Sequence, residues 1–140
     1  MRVIVHTDGG SRGNPGPAAT GVVIRAADGT VLASYGQYLG IQTNNYAEYS
    51  ALLSALKKAR ELRATEVECV LDSELIVKQM NGQYKVKNPG LQKLFVAAYN
   101  AASHFTKVTY RHIRRAGNSA ADAQVNAALD AAALLSGHGA

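Results

Sequence analysis

Tryptophan is absent, and only one cysteine and three prolines occur in 140 residues. The lone Cys69 lies in an apolar run, cannot form an internal disulfide and has no second thiol with which to build a zinc site. The fold therefore has to stand on its own core, and a reducing cytoplasm suits it. Long apolar runs are missing too. No window approaches the roughly 18 apolar residues of a membrane span, and residues 1–30 hold no continuous apolar stretch of the secretory kind. Neither secretion nor a membrane partner is expected. Acids are also scarce, ten against fifteen lysines and arginines for a net charge of +5. That imbalance favours a polyanionic partner.

What is present is a globular composition, 47% hydrophobic and 18% charged, which argues against disorder. A chain of this length reads as one monomeric domain able to bury roughly 70% of its unfolded surface. Its boundaries are expected at 1–135. The patternless Ser136-Gly137-His138-Gly139-Ala140 reads as a disordered tail or the start of a linker to a further C-terminal domain.

The chain is organised around Val3-Ile4-Val5-His6-Thr7-Asp8, an alternating run that ends in an acid and breaks into Gly9-Gly10. Ile4 and Asp8 share parity, which places the carboxylate on a face with an apolar residue and predicts partial desolvation. Ala19 to Ala26 and Thr30 to Leu39 are two further β-rich runs around an Asp28-Gly29 turn. Thr43-Asn44-Asn45 offers a helix cap before Tyr49, Leu52, Leu53, Leu56 and Ala59, which recur at helical spacing. Glu48 points to the start of that buried face.

Val67 to Leu71 reads as a fourth strand, with Asp72-Ser73 capping a helix that holds Leu75, Ile76, Val77 and Met80. A basic connector, Gln83 to Gly90, leads to a helix over Leu91 to Ser103. Lys107 to Ile113 is a fifth strand, 114–118 a loop, and Ser119 the cap of a last helix reaching about Leu134. The fold class is α/β: order βββαβααβα, a five-stranded mixed sheet of three antiparallel strands then two parallel ones, flanked by helices.

Asp8, Glu48, Asp72 and Asp122 each have a plain reading as a turn opener, first-turn acid, N-cap and capping-box member. Together they fall at carboxyl ends of strands and at adjoining helix starts, where open sheets gather functional groups. Four such carboxylates would repel one another unless cations joined them. Oxygen ligands suit Mg²⁺ or Mn²⁺. Two ions about 4 Å apart could activate water on one side of a phosphodiester and steady the leaving oxygen on the other.

Asp8-Gly9-Gly10-Ser11-x-x-Asn14-Pro15-Gly16-Pro17, Thr43-Asn44-Asn45-x-x-Glu48, Asp72-Ser73 and Asn118-x-x-Ala121-Asp122, in this order, resemble type 1 ribonuclease H over essentially the whole chain. The resemblance implies a ribonuclease H-like fold and an endonuclease that hydrolyses the RNA strand of RNA/DNA hybrids, leaving 5′-phosphate and 3′-hydroxyl ends. It assigns Asp8, Glu48, Asp72 and Asp122 as catalytic ligands of two Mg²⁺ or Mn²⁺ ions bound with substrate. Asn14, Asn44 and Asn45 resemble the minor-groove side chains that detect the 2′-hydroxyl, and Thr43 part of a DNA-phosphate pocket.

Some features depart from the family pattern. The basic helical protrusion of many members is missing, as in a compact subgroup, with Lys85 and Lys87 in its place; double-stranded RNA or RNA–DNA junctions are further possible substrates there. Ile41 stands where some members carry a phosphate-pocket Arg, and Glu74 where others carry Gln. A gapless count back from Asp122 makes His112 the auxiliary histidine. The Arg115-x-x-Asn118 spacing instead matches the compact subgroup's loop, and Arg115 with Asn118 is the preferred nucleic-acid-handling pair. The alternative to the enzyme is a hybrid- or double-stranded-RNA-binding module of the same fold with little or no cleavage.

Overall fold

The structure, a computed structural model, describes residues 1–136, with side chains through residue 135. Strands β1 (Arg2–Ser11), β2 (Gly16–Ala26) and β3 (Val31–Gln42) form an antiparallel meander; β4 (Glu66–Leu71) and β5 (Lys107–His112) run parallel to β1. The sheet order is β3-β2-β1-β4-β5, so β1 is bonded on both sides at its centre. Helices α1 (Asn44–Glu61), α2 (Glu74–Met80), α3 (Pro89–Ala102) and α4 (Ser119–Ser136) complete the expected order.

Period-two alternation decides what each strand buries. Val3 and Val5 of β1, Val22 and Ile24 of β2, and Val67, Cys69 and Leu71 of β4 join Tyr49, Leu52, Ala55, Leu56 and Ala59 of α1 in the main core. Each fully buried Leu or Ile there is worth about 1.5–3 kcal/mol relative to exposure. The opposite face is covered only in part, by α4, through a separate cluster of Ala19, Val125 and Leu129. Elsewhere that face buries Val23 and Val70 and also carries partly exposed ion pairs, Glu68 accepting from Arg2 at 3.2 Å and Arg111 at 3.4 Å. Partly exposed pairs of this kind add little stability.

Several boundaries differ from expectation for tertiary reasons. β1 does not break after Asp8: the ladder to β2 continues through Gly9–Thr20, Gly10–Ala19 and Ser11–Ala18. Its partners lengthen correspondingly, β2 starting at Gly16 and β3 reaching Gln42, with which Gly16 is paired. α3 starts at Pro89, because Asn88 caps it by accepting from Gly90 and Leu91. Leu75 is 41% exposed rather than part of the apolar face of α2. The expected loop 114–118 contains a short 3-10 helix, Arg115–Asn118, that runs straight into α4. Ser119 is thus the first residue of α4 instead of its cap. Ser136, where the tail was expected to begin, still belongs to α4, and 137–140 lie outside the described residues.

Residues 81–88 join α2 to α3 without a helix of their own. Gln79 holds this connector by donating to the Lys85 carbonyl at 3.3 Å, and its own oxygen accepts from the buried Tyr49 hydroxyl at 2.5 Å. Gln92 donates to the next carbonyl, that of Val86, at 2.8 Å. No helix among the described residues is long and apolar enough to cross a membrane.

Candidate active site

Asp8 stands near the carboxyl end of the central strand. Asp72 follows the last residue of β4, the strand parallel to β1, so both acids emerge at the same edge of the sheet. The helix start beside Asp72 is capped by the Ser73 hydroxyl, which accepts from Ile76 N at 3.3 Å and leaves the Asp72 carboxylate uncommitted to capping. Glu48 comes from the first turns of α1, whose N-cap is Thr43, accepting from Tyr46 N at 3.2 Å. α1 lies directly on β1 here. A Cβ at Gly9 would sit 2.2 Å from the Ala47 carbonyl carbon, so only glycine permits the approach that brings Glu48 to Asp8. Asp122 projects from the first turn of α4.

Carboxylate oxygens of Asp8, Glu48 and Asp72 all lie within 4.8 Å of one another. Asp122 lines the same cleft of about 470 Å³ and reaches Asp8 closely enough for their carboxyl groups to share a hydrogen bond. Asp8 is only 8% exposed. Burial first, then the charge of Asp72, the contact with Asp122 and the charge of Glu48 push its pKa from 3.8 up to about 8. Glu48 rises from 4.5 to about 7, mainly through burial and against a hydrogen bond from Ser73. Such shifts mark a cluster short of positive charge. An all-oxygen donor set in an open, negatively charged cleft fits hard divalent cations such as Mg²⁺ or Mn²⁺.

Asp8 is desolvated, as its place on the strand predicts, but not through its apolar neighbour of the same parity. Ile4 on the same face is only partly buried. What dries Asp8 is the local cover of that face by α4, which packs against β1.

The loop after β1 and the start of α1 are tied reciprocally. Asn14 Oδ1 accepts from Asn44 N at 3.0 Å, while Asn44 Oδ1 accepts from Ser11 N at 2.8 Å. Both amide oxygens are engaged in holding backbone, which leaves the two –NH₂ groups to donate outward. Asn44 lines the acidic cleft, Asn45 beside it is half-buried, and Asn14 and Thr43 are exposed. Arg115, with its side chain 82% exposed, lies 3.7 Å from Asp122 and also lines the cleft.

Asn118 sits differently from its expected place at the nucleic-acid surface. It is 1% exposed and donates Nδ2 to the Thr7 carbonyl at 2.8 Å, so its amide faces inward to β1. His112 is the exposed last residue of β5; its neighbour in charge is Glu74, and it does not line the cleft. Lys85 and Lys87 are exposed on the connector.

Residues 6–128 match the family described as Reverse transcriptase-like. A bifunctional protein of Mycobacterium tuberculosis is 50% identical over 134 residues, which cover 95% of this chain and 37% of that protein. The crystal structure of RNase H1 from Halobacterium salinarum superposes with a TM-score of 0.91 at 41% identity, covering 94% of this chain and 99% of that one. The chain belongs to the type 1 ribonuclease H family. LC11-RNase H1, isolated from compost and solved in complex with an RNA/DNA hybrid, gives a TM-score of 0.89 at 44% identity over 93% of this chain and 98% of that one. This ribonuclease H chain spans about 37% of the length of the mycobacterial relatives that it matches.

Two polar cleft residues of this ribonuclease H domain, Arg12 and Asn126, had no sequence signal. Arg12 lines the cleft and pairs with Asp130 of α4 at 2.7 Å. No local motif links two residues so far apart in the chain.

Proposed function

We propose that this chain is a metal-dependent endonuclease that hydrolyses the RNA strand of RNA/DNA hybrids, its residues 1–135 forming the ribonuclease H domain. The observation that carries the reading is the set of three carboxylates within 4.8 Å, with Asp122 against Asp8. Asp8, with acids around it, would be the ligand common to two Mg²⁺ or Mn²⁺ ions; Glu48, Asp72 and Asp122 would complete their protein ligands. When bound, such a pair supplies a water acidified for attack and a charge beside the leaving oxygen. Attack by water on phosphorus with departure of the 3′ oxygen leaves 5′-phosphate and 3′-hydroxyl ends.

The chain's own residues do the remaining work. The outward –NH₂ groups of Asn14 and Asn44, with Asn45 beside them, are placed to donate to ribose 2′-hydroxyls and minor-groove acceptors, the features that separate an RNA strand from DNA. Thr43 would reach a DNA-strand phosphate from its position at the head of α1. Arg115 balances Asp122 in the free protein and would turn to a substrate or product phosphate. Lys85 and Lys87 would grip the DNA strand, a contact steeply weakened by salt. The hybrid-bound LC11 relative supports this choice of substrate.

The test is incubation with labelled RNA/DNA hybrid, single-stranded RNA, double-stranded RNA and duplex DNA, each with Mg²⁺, Mn²⁺ or EDTA. Metal-dependent cutting of the RNA in the hybrid is expected. Tight hybrid binding without cutting under any metal would refute the enzyme and leave a binding module.

A further inference from the structure

Of the four acids, Asp122 is the one carried by a helix outside the main core, and its position depends on how closely α4 approaches the sheet. Two glycines, paired with each other across β2 and β3, set that height. A Cβ at Gly21 would lie 2.1 Å from the Ala121 carbonyl oxygen and 3.0 Å from Val125 N; one at Gly36 would lie 2.4 Å from the Gln124 carbonyl oxygen. The backbone of α4 therefore rests on the backbone of the sheet. The need is for space, since neither glycine has a positive φ.

A third contact fixes α4 along its length. Asn118 lies one helical turn before Asp122 and donates to the carbonyl of Thr7, the residue before Asp8. Its Oδ1 is buried without a partner, a cost that native structures seldom leave unexplained.

We propose that Gly21, Gly36 and Asn118 are positioning residues that set the separation of Asp122 from Asp8 and so govern the chemical step without governing substrate grip. A side chain at either glycine forces α4 outward by about 1 Å to restore contact distance. Asp122 moves with it. The residues proposed to hold nucleic acid at Asn14, Thr43, Asn44 and Asn45 belong to the β1–β2 loop and the head of α1, on a different support. Arg115 does sit in the turn leading into α4, but its long side chain is 82% exposed and can follow a phosphate across about 1 Å.

This rests on Asp122 as a site ligand, so Asp122→Asn belongs in the same experiment. Gly36→Ala, Asn118→Ala and a core control of matched thermal midpoint, Leu56→Ala, are assayed with Mg²⁺ on RNA/DNA hybrid, at a temperature where each is folded by circular dichroism. Gly36→Ala and Asn118→Ala are expected to lose about 10- to 100-fold in kcat, with KM within about twofold of the parent. The control keeps its kcat. A loss no larger than the control's, or one confined to KM, overturns the proposal. Should Gly36→Ala fail to fold, Asn118→Ala decides alone. If Asp122→Asn cleaves like the parent, the ligand assignment is wrong and the positioning proposal falls with it; if Asp122→Asn is inactive while Gly36→Ala and Asn118→Ala are normal, only the positioning is wrong.

Discussion

Raising the pH without metal is expected to destabilise the protein at its acidic cluster. Asp8 has a folded-state pKa of about 8 against 3.8 for the free side chain, so between these values the folded protein holds a proton that the unfolded chain releases. The resulting stability is fully present below pH 3.8 and is lost as the pH rises through 8. At about 1.4 kcal/mol per tenfold change in proton activity, Asp8 alone accounts for a loss of at most about 4 kcal/mol between pH 5 and 9. The cleanest interval is pH 7 to 9. His6, whose pKa is lowered by burial and then by Arg25 and Arg111, acts in the opposite sense, but only below its ordinary value of 6.5. Glu48, at about 7, is half titrated at pH 7 and adds only about 0.4 kcal/mol in the same direction over the interval. Within this interval Asp8 contributes about 1.4 kcal/mol, or a fall of roughly 5 °C in thermal midpoint for a domain of this size. Thermal melts in EDTA at half-unit steps of pH measure it. Asp8→Asn removes most of the slope, and millimolar Mg²⁺ raises the midpoint more at pH 9 than at pH 6, because ions and protons compete for the same oxygens. A wild-type midpoint that is flat or rising from pH 7 to 9 in EDTA, or an Asp8→Asn variant with the same decline, refutes the reasoning.

Asp72→Asn is expected to abolish cleavage of the hybrid while leaving the thermal midpoint in EDTA no lower than wild type, since it removes a charge from a repulsive cluster; a gel assay and a melt on the same preparation check both. Lys85→Ala and Lys87→Ala will raise KM and each flatten the dependence of log affinity on log salt by about 0.9, read by titration between about 50 and 200 mM salt. Tyr49→Phe, which strips the buried partner of Gln79, will cost about 1 kcal/mol in urea denaturation with cleavage retained in the folded protein.

Much of this was legible from residue patterns because the strands and α1 obey their own periodicities, and because Asp8, Asp72, Glu48 and Asp122 occur where an open sheet collects its chemistry. What escaped was decided by distant partners. Gly9-Gly10 reads locally as the end of a strand, yet pairing to Thr20 and Ala19 carries β1 onward. Asn118 reads as a polar loop residue, but the 3-10 turn aims it at Thr7, and nothing within the loop reports that carbonyl. Gly21 and Gly36 are unremarked small residues until α4 is laid across them.

The division of the interior into a main core and a three-residue patch beneath α4 bears on how the protein fails under stress. Native proteins open in cooperative units whose free energies track the apolar surface each unit buries. α4 holds only Ala19, Val125 and Leu129 in its own cluster, whereas α1 and the sheet share the large one. Amides of α4 are accordingly expected to exchange with deuterium sooner than those of β1 and α1. Opening of α4 carries Asp122 away from three acids that stay in place, so heat or mild denaturant would extinguish cleavage several degrees before the bulk of the secondary structure is lost.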